Sequence, residues 1–218
     1  MPIPLKQAVK IGAYVMWQKL KGQERYPLVL MLEPLFRCNL ECIGCGKIQK
    51  PNEILNKNLT PDQCLDAANE CDAPVVSIAG GEPLMHPQII EIVEGLIKQK
   101  RYIYLCTNAL LLKNFFGKLP ISPYLTLSIH LDGLEDDHDR IVDKKGVFKI
   151  AVESVREAKK MGYRVTSATT FFEGTTVEQA ETFLDFLNPL GLDGVTLSSA
   201  FRYPDAPDQD HFFGRKRT

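Results

Sequence analysis

From position 28 onward, short apolar runs alternate with amphipathic segments. The runs at 28–35, 75–79, 102–107, 125–131, 164–170 and 194–198 are rich in β-branched, aromatic and leucine side chains and too short for helices, which predicts six strands. Helical periodicity fills the gaps at 61–70, opened by Thr60 as N-cap, and at 87–99 and 110–116. It continues at 147–161, closed by Gly162, and at 177–190, closed by Gly191. Six strand–helix alternations predict an α/β fold of parallel strands joined by right-handed crossovers, with both faces of the sheet covered. A barrel and a doubly wound sheet both satisfy that pattern. The candidate ligand-binding groups after strands one to four favour a barrel, which gathers strand ends around one mouth.

Ahead of the first strand, positions 4–21 mix Leu5, Val9, Ile11, Val15, Met16 and Leu20 with Lys6, Lys10, Lys19 and Lys21, and place Tyr14 and Trp17 near the flanks. The pattern predicts a basic amphipathic helix with two possible berths, the bottom of the barrel or a membrane surface. The sequence therefore divides into a helix over 1–25, an α/β body over 26–200 and a charged, proline-containing tail over 201–218.

Composition narrows the partners. The 218 residues are 44% hydrophobic with a net charge of −1, which gives no electrostatic footprint for nucleic acid. No run reaches the roughly 18 apolar residues of a spanning helix, and no signal-peptide pattern follows Met1. Six cysteines are too few for a disulfide scaffold in a chain of this length, and the clustering of three suits a reducing compartment, so a cytoplasmic protein is expected. Cys64 and Cys71 read as packing residues, His86 as part of the next helix start, and His138 and His211 as polar loop residues without an evident partner.

The chemistry is concentrated in two loops. Cys38, Cys42 and Cys45 follow the first apolar run at offsets zero, four and seven. Thiolates so spaced can share one inorganic centre, and three of them leave one iron of a four-iron, four-sulfur cluster open to a further ligand. A zinc site completed from elsewhere in the chain is the alternative. Gly80-Gly81-Glu82-Pro83 follows the second run, where two glycines permit close backbone approach to a ligand and a carboxylate can hold an ammonium group.

Together, these motifs resemble those of the radical S-adenosylmethionine superfamily. The resemblance implies a partial (β/α)6 TIM-like barrel in which Cys38, Cys42 and Cys45 bind a [4Fe-4S] cluster. S-adenosylmethionine then chelates the open iron, and Gly80, Gly81 and Glu82 contact its amino group. It also implies that the end of strand four approaches the cofactor through Asp132, with His130 where relatives often carry serine; by their positions, Asn108 at the end of strand three and Thr169 and Thr170 on strand five are further candidates for cofactor contact. Members run on for about a further hundred residues, so 201–218 is expected to begin a truncated C-terminal region. Gly44 stands where an aromatic residue is frequent.

Longer stretches are similar to the adenosylhopane synthases, a family within that superfamily. They run from Tyr26 to Leu40, Gly44 to Gln49, Tyr104 to Leu112 and Ala206 to Phe212. That resemblance implies addition of a 5′-deoxyadenosyl radical to the triterpene diploptene, with S-adenosylmethionine consumed as co-substrate. It also implies a barrel mouth lined by apolar and aromatic side chains and a one-electron donor such as flavodoxin or ferredoxin; the basic amphipathic first helix adds peripheral contact with the inner face of the membrane as an expectation. Cys106, ending strand three on the face of Tyr102 and Tyr104, is the candidate catalytic hydrogen-atom donor. The alternatives are another radical enzyme abstracting hydrogen from a peptide or small molecule and, more remotely, a non-enzymatic iron–sulfur or zinc module.

Overall fold

The computed structural model describes residues 3–203, 206 and 210–214; Pro207, Asp208 and Gln209 of the quoted tail stretch, and residues 215–218, lie outside them. Its elements in chain order are α1 (Leu5–Leu20), β1 (Val29–Leu32), α2 (Asn52–Leu55), α3 (Pro61–Cys71), β2 (Val75–Ile78), α4 (Ile89–Lys98) and β3 (Tyr102–Thr107). They continue with β4 (Leu125–His130), α5 (Glu135–Ile141), α6 (Val147–Met161), β5 (Arg164–Phe171), α7 (Val177–Leu187) and β6 (Gly194–Ser199). The six strands are all parallel and pair in sequence order from β1 to β6. They form a curled partial barrel with helices on its outer face, as the alternation predicts.

Register decides which residues look inward. Ser77 pairs with Tyr104, Cys106 with Ser128, Ser128 with Thr166, and His130 with Ala168, so these positions share the concave face. The alternate positions, among them Ile78, Leu105, Leu127, Ile129 and Val165, are wholly buried. They meet Ile92, Val93 and Leu96 of α4 and Ala151 and Val155 of α6 in one core, the double-sided burial that parallel strands require. Thr60 caps α3 and Thr176 caps α7, each in a reciprocal box with the glutamine three residues on.

Several elements differ from the sequence reading, the short α2 among them. The segment 110–116 forms only a 3-10 stretch, Leu112–Phe115, in which Leu112 alone is fully buried. Residues 188–190 tighten from α into 3-10 geometry around Pro189. Helix α5 was not anticipated, because its charged sequence EDDHDRI lacks an apolar period and buries only His138 and Ile141. Among the described residues, no helix is long and apolar enough to cross a membrane.

The β1–β2 ladder continues beyond both strands. The Ala79 amide donates to the Leu32 carbonyl, Gly81 to Leu35 and Glu82 to Arg37. A β-carbon on Gly80 would lie 2.2 Å from the Leu35 oxygen, and one on Gly81 would lie 2.0 Å from the Arg37 oxygen. Gly80 also has φ of +110°, which disfavours any side chain. The glycines thus admit the backbone that leads into the cysteine loop, a close approach that the sequence reading assigned to a ligand.

Gly81→Ala is expected to lower unfolding free energy by more than about 3 kcal/mol in urea titrations, because backbone must move to accept the methyl group. Gly117→Ala, with positive φ but open space around its β-carbon, should lose only about 1 kcal/mol.

Candidate functional site

At the C-terminal ends of β2, β3 and β4, a cavity of about 290 Å³ gathers most of the sequence candidates. Cys38, Cys42 and Cys45 line one side, and Gly80, Gly81 and Glu82 another; Cys106, Asn108 and His130 complete the wall. The loop order in sequence has become a ring in space, as parallel strand topology dictates.

Glu82 is 1% exposed and almost fully engaged. Its Oε1 accepts from the Leu84 amide at 3.0 Å and the Thr107 hydroxyl at 2.8 Å, and its Oε2 accepts from the Asn108 amide at 2.8 Å. Burial pushes its carboxyl above the usual range, against the pull of those donors. A cation arriving in the cavity would relieve that penalty. The next residue along β3 extends the grip: Asn108 Nδ2 donates to Asn39 Oδ1 at 2.8 Å and lies 3.8 Å from Cys38 Sγ. Asn108 therefore orients the first cysteine's loop.

The three thiols are only partly exposed and unbridged. Burial, with lesser contributions from neighbouring charge, pushes Cys38 up to about 11 and Cys42 up to about 12, so both remain protonated at neutral pH until a cation compensates the thiolate. Among the described residues, no three His, Cys, Asp or Glu side chains converge on a point where they could hold one metal ion. Three soft thiols spread around one cavity suit a cluster, whose corners accept ligands at separate irons. The residues therefore fit an iron–sulfur cluster better than mononuclear zinc.

The far side of the cysteine loop is clamped by a residue the sequence did not reveal. Tyr203 Oη accepts from the Gly46 amide at 2.7 Å and donates to the Gly44 carbonyl at 2.9 Å. The Ile43 amide also donates to the Ile141 carbonyl of α5 at 2.8 Å. A tyrosine more than 150 positions from the loop carries no local signal; only the return of the chain after β6 brings it there.

His130 and Asp132 form a close pair, but only the imidazole faces the cavity. Asp132 is 5% exposed; besides His130, it accepts from the Thr170 amide through Oδ1 at 2.6 Å. Its carboxylate thereby joins β5 to His130, and Asp132 itself does not line the cysteine cavity. Burial lowers the His130 imidazole and the adjacent carboxylate more than offsets it, so the net shift is upward. Thr170 lines a neighbouring cavity of about 320 Å³ with Gly44, Cys45, Phe172 and Phe212.

The expected aromatic mouth is displaced. Among the described residues, no Phe, Tyr or Trp lines the cysteine cavity, whose wall includes Cys106 and Ser128; Cys106 Sγ lies 3.5 Å from Ser77 Oγ. Phe172, Phe201, Tyr203 and Phe212 instead line the adjoining cavity, where Cys45 is common to both. Inward strand positions at this level take small hydroxyl residues because larger ones would fill the barrel.

His138 overturns another sequence expectation. It is fully buried, and its Nδ1 accepts from the Asp132 amide at 3.1 Å. Its Nε2 is buried without a hydrogen-bond partner. His86 behaves as expected, accepting from the Gln88 amide at 3.1 Å beside the start of α4. Cys64 is fully buried in the core, in keeping with a packing role.

The sequence profile of the radical SAM superfamily matches residues 32–187. The chain is 26% identical over 156 residues to the GTP 3′,8-cyclase of Petrotoga mobilis, covering 68% of this chain and 48% of that protein. It is 26% identical over 161 residues to the mycofactocin maturase MftC of Mycolicibacterium smegmatis, covering 72% and 41%. The chain thus spans about half the length of the curated relatives it matches. In fold it is similar to Streptococcus suis SuiB bound to S-adenosylmethionine, with a TM-score of 0.72 at 19% identity, over 94% of this chain and 48% of that one.

Burial lowers the His138 pKa to about 4 from 6.5. The unfolded chain therefore binds more protons between those values, and stability should rise with pH across that window. Urea titrations at pH 7 and pH 4 should show wild type losing about 3 kcal/mol more than His138→Gln, which keeps an acceptor for the Asp132 amide without titrating. Equal losses would assign the pH dependence to other groups.

Proposed function

The chain belongs to the radical SAM superfamily, and from that premise we propose that it is an adenosyl transferase adding the 5′-deoxyadenosyl group of S-adenosylmethionine to the terminal methylene of diploptene. Enzymes of this superfamily use a [4Fe-4S] cluster and S-adenosylmethionine, which together supply one-electron cleavage of the sulfonium and a primary carbon radical. The single observation that carries the reading is the common cavity of Cys38, Cys42, Cys45, the Gly80-Gly81-Glu82 turn and Cys106. The choice of diploptene draws on the long stretches similar to adenosylhopane synthases and on the aromatic wall of the adjoining cavity.

Each residue then has a defined task. Cys38, Cys42 and Cys45 hold the cluster, while Asn108 and Tyr203 steady their loop from opposite sides. Glu82 takes the amino group of the cofactor with help from the backbone of Gly80 and Gly81. His130, oriented by Asp132, offers a polar contact within the cavity, and Thr170 marks the wall toward the aromatic side. The Cys106 thiol returns a hydrogen atom to the tertiary carbon left after addition. One electron from a flavodoxin or ferredoxin and one proton restore the resulting thiyl group. The reaction takes place in the cytoplasm.

The relatives favour a second reading. They are named as a GTP cyclase and a mycofactocin maturase, which fits a radical enzyme that abstracts hydrogen from a small molecule or peptide.

Anaerobic reconstitution with iron and sulfide, followed by S-adenosylmethionine, reductant and diploptene, separates the two by mass spectrometry. Adenosylhopane is the expected product; 5′-deoxyadenosine release without any adduct would support hydrogen abstraction, and stoichiometric zinc with no cofactor cleavage would sink both. Cys38→Ala, Cys42→Ala and Cys45→Ala should each abolish cleavage of S-adenosylmethionine.

Cys106→Ala should still cleave S-adenosylmethionine but give less adenosylhopane or a changed configuration at the quenched carbon. Unchanged yield and stereochemistry would return Cys106 to a packing role.

A further inference from the structure

Helix α1 is amphipathic in the reverse of the usual sense. Its inward face carries Gln7 and Gln18, 3% and 9% exposed, with Ile11 and Tyr14 between them at helical spacing. Gln7 Nε2 donates to the Tyr104 hydroxyl at 3.4 Å, inside the barrel. Lys10 is also drawn in: it bonds the Lys100 carbonyl, and its ammonium stands 5.6 Å from the Tyr102 ring centroid and 5.7 Å from that of Tyr124. These tyrosines lie at the N-terminal ends of β3 and β4, so α1 covers the end of the barrel opposite the cysteine loop.

The outward face is apolar along its whole length. Leu5, Val9, Met16 and Leu20 recur at helical spacing and are 78%, 62%, 66% and 79% exposed. Gly12 and Ala13 fill the middle of this stripe, also exposed, so no charge interrupts it. Trp17 flanks it at 56% exposure, with the Lys21 ammonium 5.0 Å from its ring centroid. Lys6 and Lys19 are exposed on the flanks, and positions 4–21 contain no acidic residue.

We infer that the outer face of α1 docks in the interface of an anionic phospholipid bilayer. An apolar stripe rimmed by lysine and tryptophan matches the layered chemistry of that surface, acyl chains at the centre and phosphate at the rim. The charge pattern selects this occupant over a second copy of the chain. Two α1 helices packed by their stripes would set lysines against lysines with no carboxylate on either helix to offset them. Because the cysteine cavity opens at the other end of the strands, the contact anchors the protein without facing that cavity. This surface is independent of the substrate assigned above.

Flotation of the full chain with vesicles of phosphatidylcholine and phosphatidylglycerol, and with phosphatidylcholine alone, tests the inference. Binding to the anionic vesicles is expected, about tenfold weaker without phosphatidylglycerol and weakened by salt. Leu5→Ser with Leu20→Ser should reduce partitioning about tenfold while leaving the thermal midpoint unchanged, since both side chains are exposed. Should that variant fold poorly, Lys6→Gln with Lys19→Gln and Lys21→Gln keeps the stripe intact and should remove the preference for anionic vesicles. Failure of the wild-type chain to float with anionic vesicles would overturn the inference, as would equal flotation of the serine variant. A concentration-dependent dimer that the serine variant abolishes, with no vesicle binding, would assign the face to a second copy.

Discussion

The buried carboxylate of Glu82 holds the site together. With three donors from two segments, it joins the turn after β2 to the end of β3, and its own amide reaches back to Arg37 at the entrance to the cysteine loop. A carboxylate at 1% exposure is unfavourable unless its lone pairs are filled, so the donors and the acceptor stabilise one another as a set. Removing any one would leave the remaining groups buried and unpaired. The constraint extends through Asn108 to Asn39, so the position of the first cysteine is coupled to a residue on the other side of the cavity.

The second constraint is steric. Gly80 and Gly81 exist as glycines because the Leu35 and Arg37 carbonyls occupy the volume of a side chain. This intimate pairing extends the β1–β2 ladder into the loops and sets the cysteines beside the ends of the neighbouring strands. The interior is then finished with small groups, Ser77, Cys106 and Ser128, which leave room at the centre of the curl. Polar matching at the opposite end explains α1: the tyrosines there favour glutamine and lysine from the helix, which turns its leucines outward.

Charge is handled locally and in pairs. Asp132 raises the His130 pKa against its burial and fixes β5 through the Thr170 amide, while burial lowers that of the adjacent His138. Two imidazoles with ring centroids 5.6 Å apart thus shift in opposite directions, because one has a carboxylate partner while the other is desolvated and lies beside the first imidazole.

The sequence by itself determined the number and order of the strands, the helix caps at Thr60 and Thr176, and the cysteine and glycine–glutamate motifs. Each of these is written within a few neighbouring positions, through side-chain alternation, hydrogen bonding to the nearest amides, or fixed thiol spacing. Only the tertiary structure decided that Asp132 pairs with His130 and the Thr170 amide, that His138 is buried, and that Tyr203 clamps Gly44 and Gly46. The same holds for the two glycines, whose close contact is with the chain's own backbone, and for α1, whose apolar face points out. These outcomes depend on which groups meet across long stretches of chain, and a side chain's local pattern records its capacity to bury or bond without recording the partner that folding supplies.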